Sequence, residues 1–220
     1  PAEFQRLPGA DHVAVHDVQR VAGLRHMQPS QRTPGTTDRV ERAALTLFVA
    51  RGVAETTTRE IAMAASIAEG TIYRYFPSKE QLALDIFLGH HRALAEALAE
   101  AHRPVTGLRD KIQAIVRCYC EWADRDWSLF AYHLLTQHLF LALVPDGTPN
   151  PVDVVREVIV SAMAAGEIPT RDPDLAAASA IGTVMQPATY KVYGRFEGPL
   201  TDHVAFFADA AWAVLSVPDR

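Results

Sequence analysis

The sequence predicts an all-α chain of about nine helices, and three observations carry that prediction. Apolar residues recur at helical spacing from Val40 to Leu215, no run alternates convincingly with period two, and Gly or Pro stands where several periodic stretches end. With 220 residues and 49% apolar content, the chain can bury the core of one or two domains. No apolar run approaches ~18 residues without a charge or a proline, and the first residues lack the basic start and apolar stretch of a secretory signal. A soluble, cytoplasmic protein with no membrane partner is therefore expected.

Residues 1–36 mix Pro, Gly, His, Gln and Ser without helix caps. They read as a disordered tail or as a segment ahead of a native start at Met27, with Arg32 and Arg39 offering basic reach. A first helix is expected from about Asp38 to Arg51. Asp38 and Glu41 are spaced for a capping box, Val40, Ala44, Leu47 and Phe48 share one face, and Gly52 supplies the stop. Thr57 and Glu60 repeat the capping-box spacing and open a second helix at Thr58, which carries Ile61, Ala62 and Ala65 inward. Ser66 and Ile67 break it. The segment Glu69 to Phe76 is then only about two turns long. It turns Ile72 and Phe76 to one side and largely exposes Thr71, Tyr73, Arg74 and Tyr75, until Pro77 ends it. Two short helices joined by a three- or four-residue turn form a helix-turn-helix, whose second helix lies in the DNA major groove. Phe48, Ile61, Ile67, Ile72 and Phe76 would make its small three-helix core.

Ser78 and Gln81 cap a longer helix running to about His102, some 36 Å of it at 1.5 Å per residue. It links the head, residues 37–82, to a body, residues 83–220, that reads as a helical bundle. Leu108, Ile112, Ile115, Tyr119 and Trp122 trace one face; Ser128 to Val144 is apolar nearly all round; Pro151 to Ala165 is stopped by Gly166 and Pro169. Asp172 and Pro173 open a helix with Leu175, Ala178, Ile181 and Met185 inward, kinked by Pro187. The last helix, about Thr201 to Val217, carries Val204, Phe207, Ala208, Ala211 and Leu215 along one stripe.

The run of Phe48, Gly52, Thr57, Ile61, Ala62, Ile67, Gly70, Thr71, Ile72, Tyr73, Tyr75, Phe76, Ser78 and Lys79, in order and without a gap, resembles the DNA-binding domain of the tetracycline-repressor (TetR) family of bacterial transcriptional regulators. The resemblance covers roughly residues 37–84 and implies a ligand-released repressor that binds a palindromic double-stranded operator as a homodimer. It also implies which residues meet DNA. Thr71, Tyr73, Tyr75 and Lys79 would hold phosphates, Glu69, Gly70 and Arg74 would face base edges, and Thr57, Arg59 and Ala68 would be further DNA-binding residues. Two departures stand out. The family often has Gly-Val-Ser where this chain has Ser66-Ile67-Ala68, so a side-chain cap worth about 0.5–2 kcal/mol is missing. Glu69 brings a carboxylate toward phosphates and would have to accept from a cytosine amine to be useful.

Charge is divided unevenly. Residues 1–82 hold 10 Lys and Arg against 9 Asp and Glu, and residues 83–220 hold 11 against 17, so the acidic excess lies outside the proposed DNA reader. Cys118 and Cys120 lie about 200° apart on a helix and read as reduced, buried thiols. His90, His91, His133 and His138 include neither an i, i+4 pair nor a carboxylate set, so no metal or cofactor is expected. Trp122, Trp127, Phe130, His133, Phe140, Met163 and Tyr190 are candidates to line a pocket for an unidentified small-molecule effector, against the alternative that they are plain core. Ile181, Met185, Phe207 and Ala211, on the two alanine-rich final helices, are candidates for a dimer interface. Two other functions are weighed against the ligand-released regulator: a DNA-binding helical dimer without an effector, marked by the absence of a solvent-reachable cavity, and a metal- or cofactor-dependent helical enzyme, marked by metal content or a spectrum. No G-x-S-x-G, Gly-rich phosphate loop or H-E-x-x-H supports an enzyme.

Overall fold

A computed structural model describes residues 35–218. The readings of the tail over residues 1–34, including Met27 and Arg32, lie outside them. The described residues form nine α-helices and no strand: α1 Thr36–Arg51, α2 Thr58–Ala64, α3 Glu69–Ile72, α4 Lys79–His102, α5 Leu108–Arg125, α6 Trp127–Phe140, α7 Pro151–Ala164, α8 Pro173–Val192 and α9 Val204–Leu215. Short 3₁₀ turns at Leu141–Leu143 and Leu200–His203 follow α6 and precede α9. Among the described residues no helix is long and apolar enough to cross a membrane.

The chain packs as two compact units, one running through Gly89 and taking in Ala131–Asp146, the other made of His90–Phe130 and the residues from Gly147 onward. The first unit thus reaches past residue 82 and includes most of α6. Its core is built where the periodicity put it: Val40, Ala44, Phe48, Ile61, Ile72 and Phe76 are all within 3% of full burial. Ile67, expected in that core, is only half-buried. Tyr132 on α6 stacks near Phe48 with ring centroids 6.0 Å apart and donates its hydroxyl to the Ala83 carbonyl at 2.7 Å. Burial pushes that hydroxyl well above the ordinary tyrosine range, so it stays a donor.

One helix start and one helix end in this unit differ from expectation. α1 is capped at Gly35, three residues before Asp38 and without a side-chain cap bond, which leaves Asp38 as a first-turn carboxylate facing the helix dipole instead of a cap. α3 is α-helical for one turn only; beyond Ile72 the backbone tightens into i to i+3 bonds, Arg74 N to Thr71 O and Tyr75 N to Ile72 O, before Pro77. Ser78 does cap α4, its Oγ accepting from Gln81 N at 3.1 Å.

In the second unit, carboxylates from loops and neighbouring helices close several helix starts. Glu167 accepts from Leu108 N at 2.7 Å at the head of α5. Asp124 accepts from Leu200 N, Thr201 N and Thr201 Oγ1, each at 2.9 Å, with Lys191 Nζ 3.7 Å away. Asp172 receives the Asp174 and Leu175 amides, as its position before Pro173 predicts. The stripe expected on α9 is the buried one: Val204, Phe207, Ala208, Ala211 and Leu215. On α8 the stripe is rotated. Ala176, Ala177, Ala180, Val184 and Ala188 face the core, while Ala178 and Leu175 are exposed, the latter at 64%. Alanines on every side make the helical period ambiguous there, so the one large residue was assigned to the wrong face. α8 continues as helix through Pro187.

Candidate nucleic-acid interface

The head presents its surface by closing α2 tightly. Thr57 Oγ1 receives Glu60 N at 3.3 Å while Glu60 Oε2 receives Thr57 N at 2.9 Å, so both arms of the capping box form. Thr57 Oγ1 also lies 2.7 Å from Glu60 Oε2. Arg51 at the end of α1 reaches the other oxygen of Glu60 at 2.8 Å. Hydrogen bonds from the Thr57 hydroxyl and amide, with help from Arg51, lower the Glu60 carboxyl to about 2.

The turn between α2 and α3 is held from α1. Arg39 donates to the carbonyls of Ala65 and Ser66, at the exposed end of α2 where a cation is favoured. Arg39 is therefore a clamp on the turn, which corrects its reading as loose basic reach toward a duplex. Ser66 sits at φ 54, the left-handed region that glycine enters freely and serine does not. Ala68, at the N-cap of α3, makes no side-chain cap bond.

Beyond this scaffold the candidate contacts share one small region. Thr57, Arg59, Ala68, Glu69, Gly70, Tyr73 and Arg74 are exposed; Thr71, Tyr75 and Lys79 are half-buried. The arginines divide by role. Arg39 and Arg51 are occupied by the scaffold, whereas Arg59 on α2 and Arg74 after α3 have no partner among the described residues. Lys79 Nζ donates to the Ala54 carbonyl at 3.0 Å and lies 3.9 Å from Glu80 Oε1, which anchors it beside the turn. Gly70 has an ordinary φ and a Cβ there would meet nothing within 4 Å, so neither strain nor crowding inside the chain requires a glycine. Sequence reasoning missed Thr58. Its Oγ1 donates to Glu69 Oε1 at 2.8 Å and lies 3.1 Å from the Tyr73 hydroxyl, links across 11 and 15 positions that no spacing rule signals.

Residues 42–86 match the profile of bacterial regulatory proteins of the tetR family. Over these residues the chain is similar to the DNA-binding domain of the TetR family. Among curated relatives, it is 33% identical over 88 residues to the HTH-type transcriptional repressor KstR2 of Mycolicibacterium smegmatis, a match spanning 37% of this chain and 41% of that protein. It is 27% identical over 121 residues to the HTH-type transcriptional activator FasR of the same organism, spanning 53% of this chain and 55% of that one. The chain thus matches about half or less of the length of these relatives. The fold extends further: a crystal structure of the transcriptional regulator FadR from Bacillus subtilis, in complex with stearoyl-CoA, superposes with a TM-score of 0.65 at 20% identity, over 81% of this chain and 97% of that one.

The candidate pocket residues fall in both units. His133 and Phe140 belong to the first unit, where both pack on Phe87 at ring-centroid distances of 4.7 and 5.4 Å. Trp127 and Phe130 lie in the second unit, 6.1 Å apart, and Trp122 joins them through His90. Tyr119, not singled out beforehand, packs edge-on against Phe130 at 4.9 Å, and its buried hydroxyl has no hydrogen-bond partner among the described residues. Burial, with a smaller contribution from Cys120, pushes that hydroxyl well above its usual range. Met163 is half-buried on α7, and Tyr190, at 50% exposure, stands on the surface. Burial lowers His90 to about 4, and no group of three potential metal ligands occurs among the described residues. Burial likewise raises Cys120, to about 12, which keeps it a thiol.

Of the candidate interface residues, Phe207 and Ala211 are buried within the chain's own second unit at 3% exposure each. They are not available to a second copy. Ile181 and Met185 are half-buried, and the large apolar groups that α8 and α9 leave in water are Leu175 at 64% and Phe206 at 71%.

Proposed function

We propose that the protein is a homodimeric, cytoplasmic transcriptional regulator that binds a palindromic DNA operator through α2 and α3, without a catalytic role, and leaves it when a small molecule enters the helical body. The observation that carries this reading is the division of the head's arginines. Those behind the reading face are tied to the scaffold, while Arg59 and Arg74 on that face are unpaired among the described residues. Gly70 supports it, because a duplex approaching the backbone closely would require the missing Cβ that the fold does not. Thr71, Tyr75 and Lys79 then hold phosphates and set register, Thr57 fixes the start of α2 behind them, and Glu69 and Arg74 face base edges.

Selection from a double-stranded DNA library with a randomised core tests it. The expected product is a pair of inverted half-sites about 34 Å apart, one helical turn, or a multiple of that. No enrichment above the starting library would refute it. The dimer is assigned to the exposed face of α8 and α9, so Phe206→Glu should elute as a monomer of unchanged helicity and lose operator binding. A dimer that still binds would move the interface elsewhere.

For the effector, Tyr119 offers a buried donor in an aromatic setting, suited to a ligand with an apolar body and a carbonyl acceptor. The stearoyl-CoA held by the Bacillus subtilis protein makes long-chain acyl thioesters the first class to try. At a hundred times its dissociation constant such a ligand adds about 2.7 kcal/mol of stability. A thermal shift lost in Tyr119→Phe would support the site, and an undiminished shift would place binding elsewhere. The repressor sense follows the KstR2 match, and the FasR match favours an activator as the second reading.

A further inference from the structure

We propose that Thr58 is a positioning residue for base selection, holding Glu69 so that its outer carboxylate oxygen accepts from the exocyclic amine of a cytosine in each half-site. The inference rests on reading α3 as the element that meets the major groove, and it assigns a task to the Tyr73–Thr58–Glu69 network there.

Proton accounting fixes the direction of the network. An ionised carboxylate only accepts, so the single proton on Thr58 Oγ1 goes to Glu69 Oε1, 2.8 Å away. The Thr58 oxygen is then left as the acceptor for the Tyr73 hydroxyl at 3.1 Å. The chain therefore runs Tyr73 to Thr58 to Glu69. It has two consequences. First, Glu69, exposed at the start of α3, is fixed at one oxygen while Oε2 has no partner among the described residues. An acceptor held in place at the entry of the recognition element is complementary to the N4 amine of cytosine and opposed to the acceptor edges of guanine and thymine. Second, the only proton of Tyr73 points inward. Tyr73 supports Glu69 and does not donate to a phosphate while the network stands, which removes it from the phosphate contacts expected of it.

The same carboxylate repels backbone phosphates, so it weakens binding to any sequence that does not repay it with an amine. Glu69 is thus a selecting group by exclusion as much as by attraction.

The test uses the full-length protein and the double-stranded library with a randomised core, followed by the selected duplex with each base pair changed singly. The wild type should demand one C·G pair per half-site, and Glu69→Gln should relax that demand by about tenfold, shift it toward A·T, and bind random duplex more tightly. Thr58→Val should relax the same position and no other, and Thr58→Ser, which keeps the hydroxyl, should restore it. If Thr58 serves only the fold, Thr58→Val lowers affinity for all duplexes equally and the inference fails. If the wild type selects a site but neither variant changes its preference at any position, the inference fails while the reading of α3 stands. If the wild type selects nothing, both fail.

Discussion

α2 begins with a complete capping box and an ion pair from Arg51, whereas α3, its partner in the same motif, begins at Ala68, which caps nothing, after Ser66 at φ 54. α2 is bonded at its terminus; α3, the helix proposed to read DNA, is α-helical for a single turn, too short to persist by its own backbone bonds. What holds α3 is below it. Ile72 and Phe76 are fully buried, and the Arg39 clamp fixes the turn that leads in. The difference teaches that α3 is held by its apolar anchors from below and not by its own terminus, which leaves the exposed Glu69 tied only to Thr58 of the neighbouring helix.

The largest break in that comparison should come from the anchors. Phe76→Ala is expected to destabilise the first unit by about 3–5 kcal/mol. Hydrogen exchange should rise across α1 to α3 while α8 and α9 keep their protection, and protected α3 amides would show that its support lies elsewhere. Removing the cap of α2 should cost less: Thr57→Ala loses about 1 kcal/mol. This terminus is also the acid-sensitive one. Because Glu60 titrates at about 2 in the folded chain and near 4.5 unfolded, its contribution is fully present above pH 4.5 and disappears as pH falls through about 2. Protection of the α2 amides should follow that course in the wild type and not in Glu60→Gln.

The smallest effects are gains at α3. Ser66→Gly should relieve the left-handed backbone and add about 1 kcal/mol. Ala68→Ser should add a similar or smaller amount by supplying the absent cap, read as slower exchange at Glu69 to Thr71. No gain from Ala68→Ser would mean that solvent already satisfies those amides.

The second unit responds to acid through a different group. Burial keeps His90 neutral down to about pH 4, so between pH 6.5 and 4 only the unfolded chain takes up the proton and stability falls with pH. A denaturant midpoint that drops across this interval in the wild type, and drops less in His90→Asn, is the expected result.

How much of this was legible depended on whether neighbouring positions differed in kind. The Thr57–Glu60 box, the Ser78 cap, the Asp172–Pro173 start and the α9 stripe were readable because a polar cap or a large apolar residue stood among unlike neighbours. α8 was misread where Ala176, Ala177 and Ala178 offer three faces of equal hydrophobicity, so Leu175 was turned inward; on α9, Phe207 and Ala211 belong to the chain's own buried stripe and are not left for a second copy. The length of α3 was overestimated because i to i+3 bonding after Ile72 keeps the same side-chain periodicity for a few residues. The Thr58 network was invisible because it is a contact between elements, and Tyr119 because a buried hydroxyl without a partner looks in sequence like any aromatic on a helical face.

The central claim is that the α3 segment reads bases, and Arg74, just after α3, tests it most directly, since its exposed side chain has no partner among the described residues. Binding of Arg74→Ala should be measured by fluorescence anisotropy on the selected duplex and on a scrambled duplex at the same salt. The account predicts a loss of about 1–3 kcal/mol confined to the selected duplex. An equal loss on both duplexes, with a flatter salt dependence, would place Arg74 on a phosphate and contradict it.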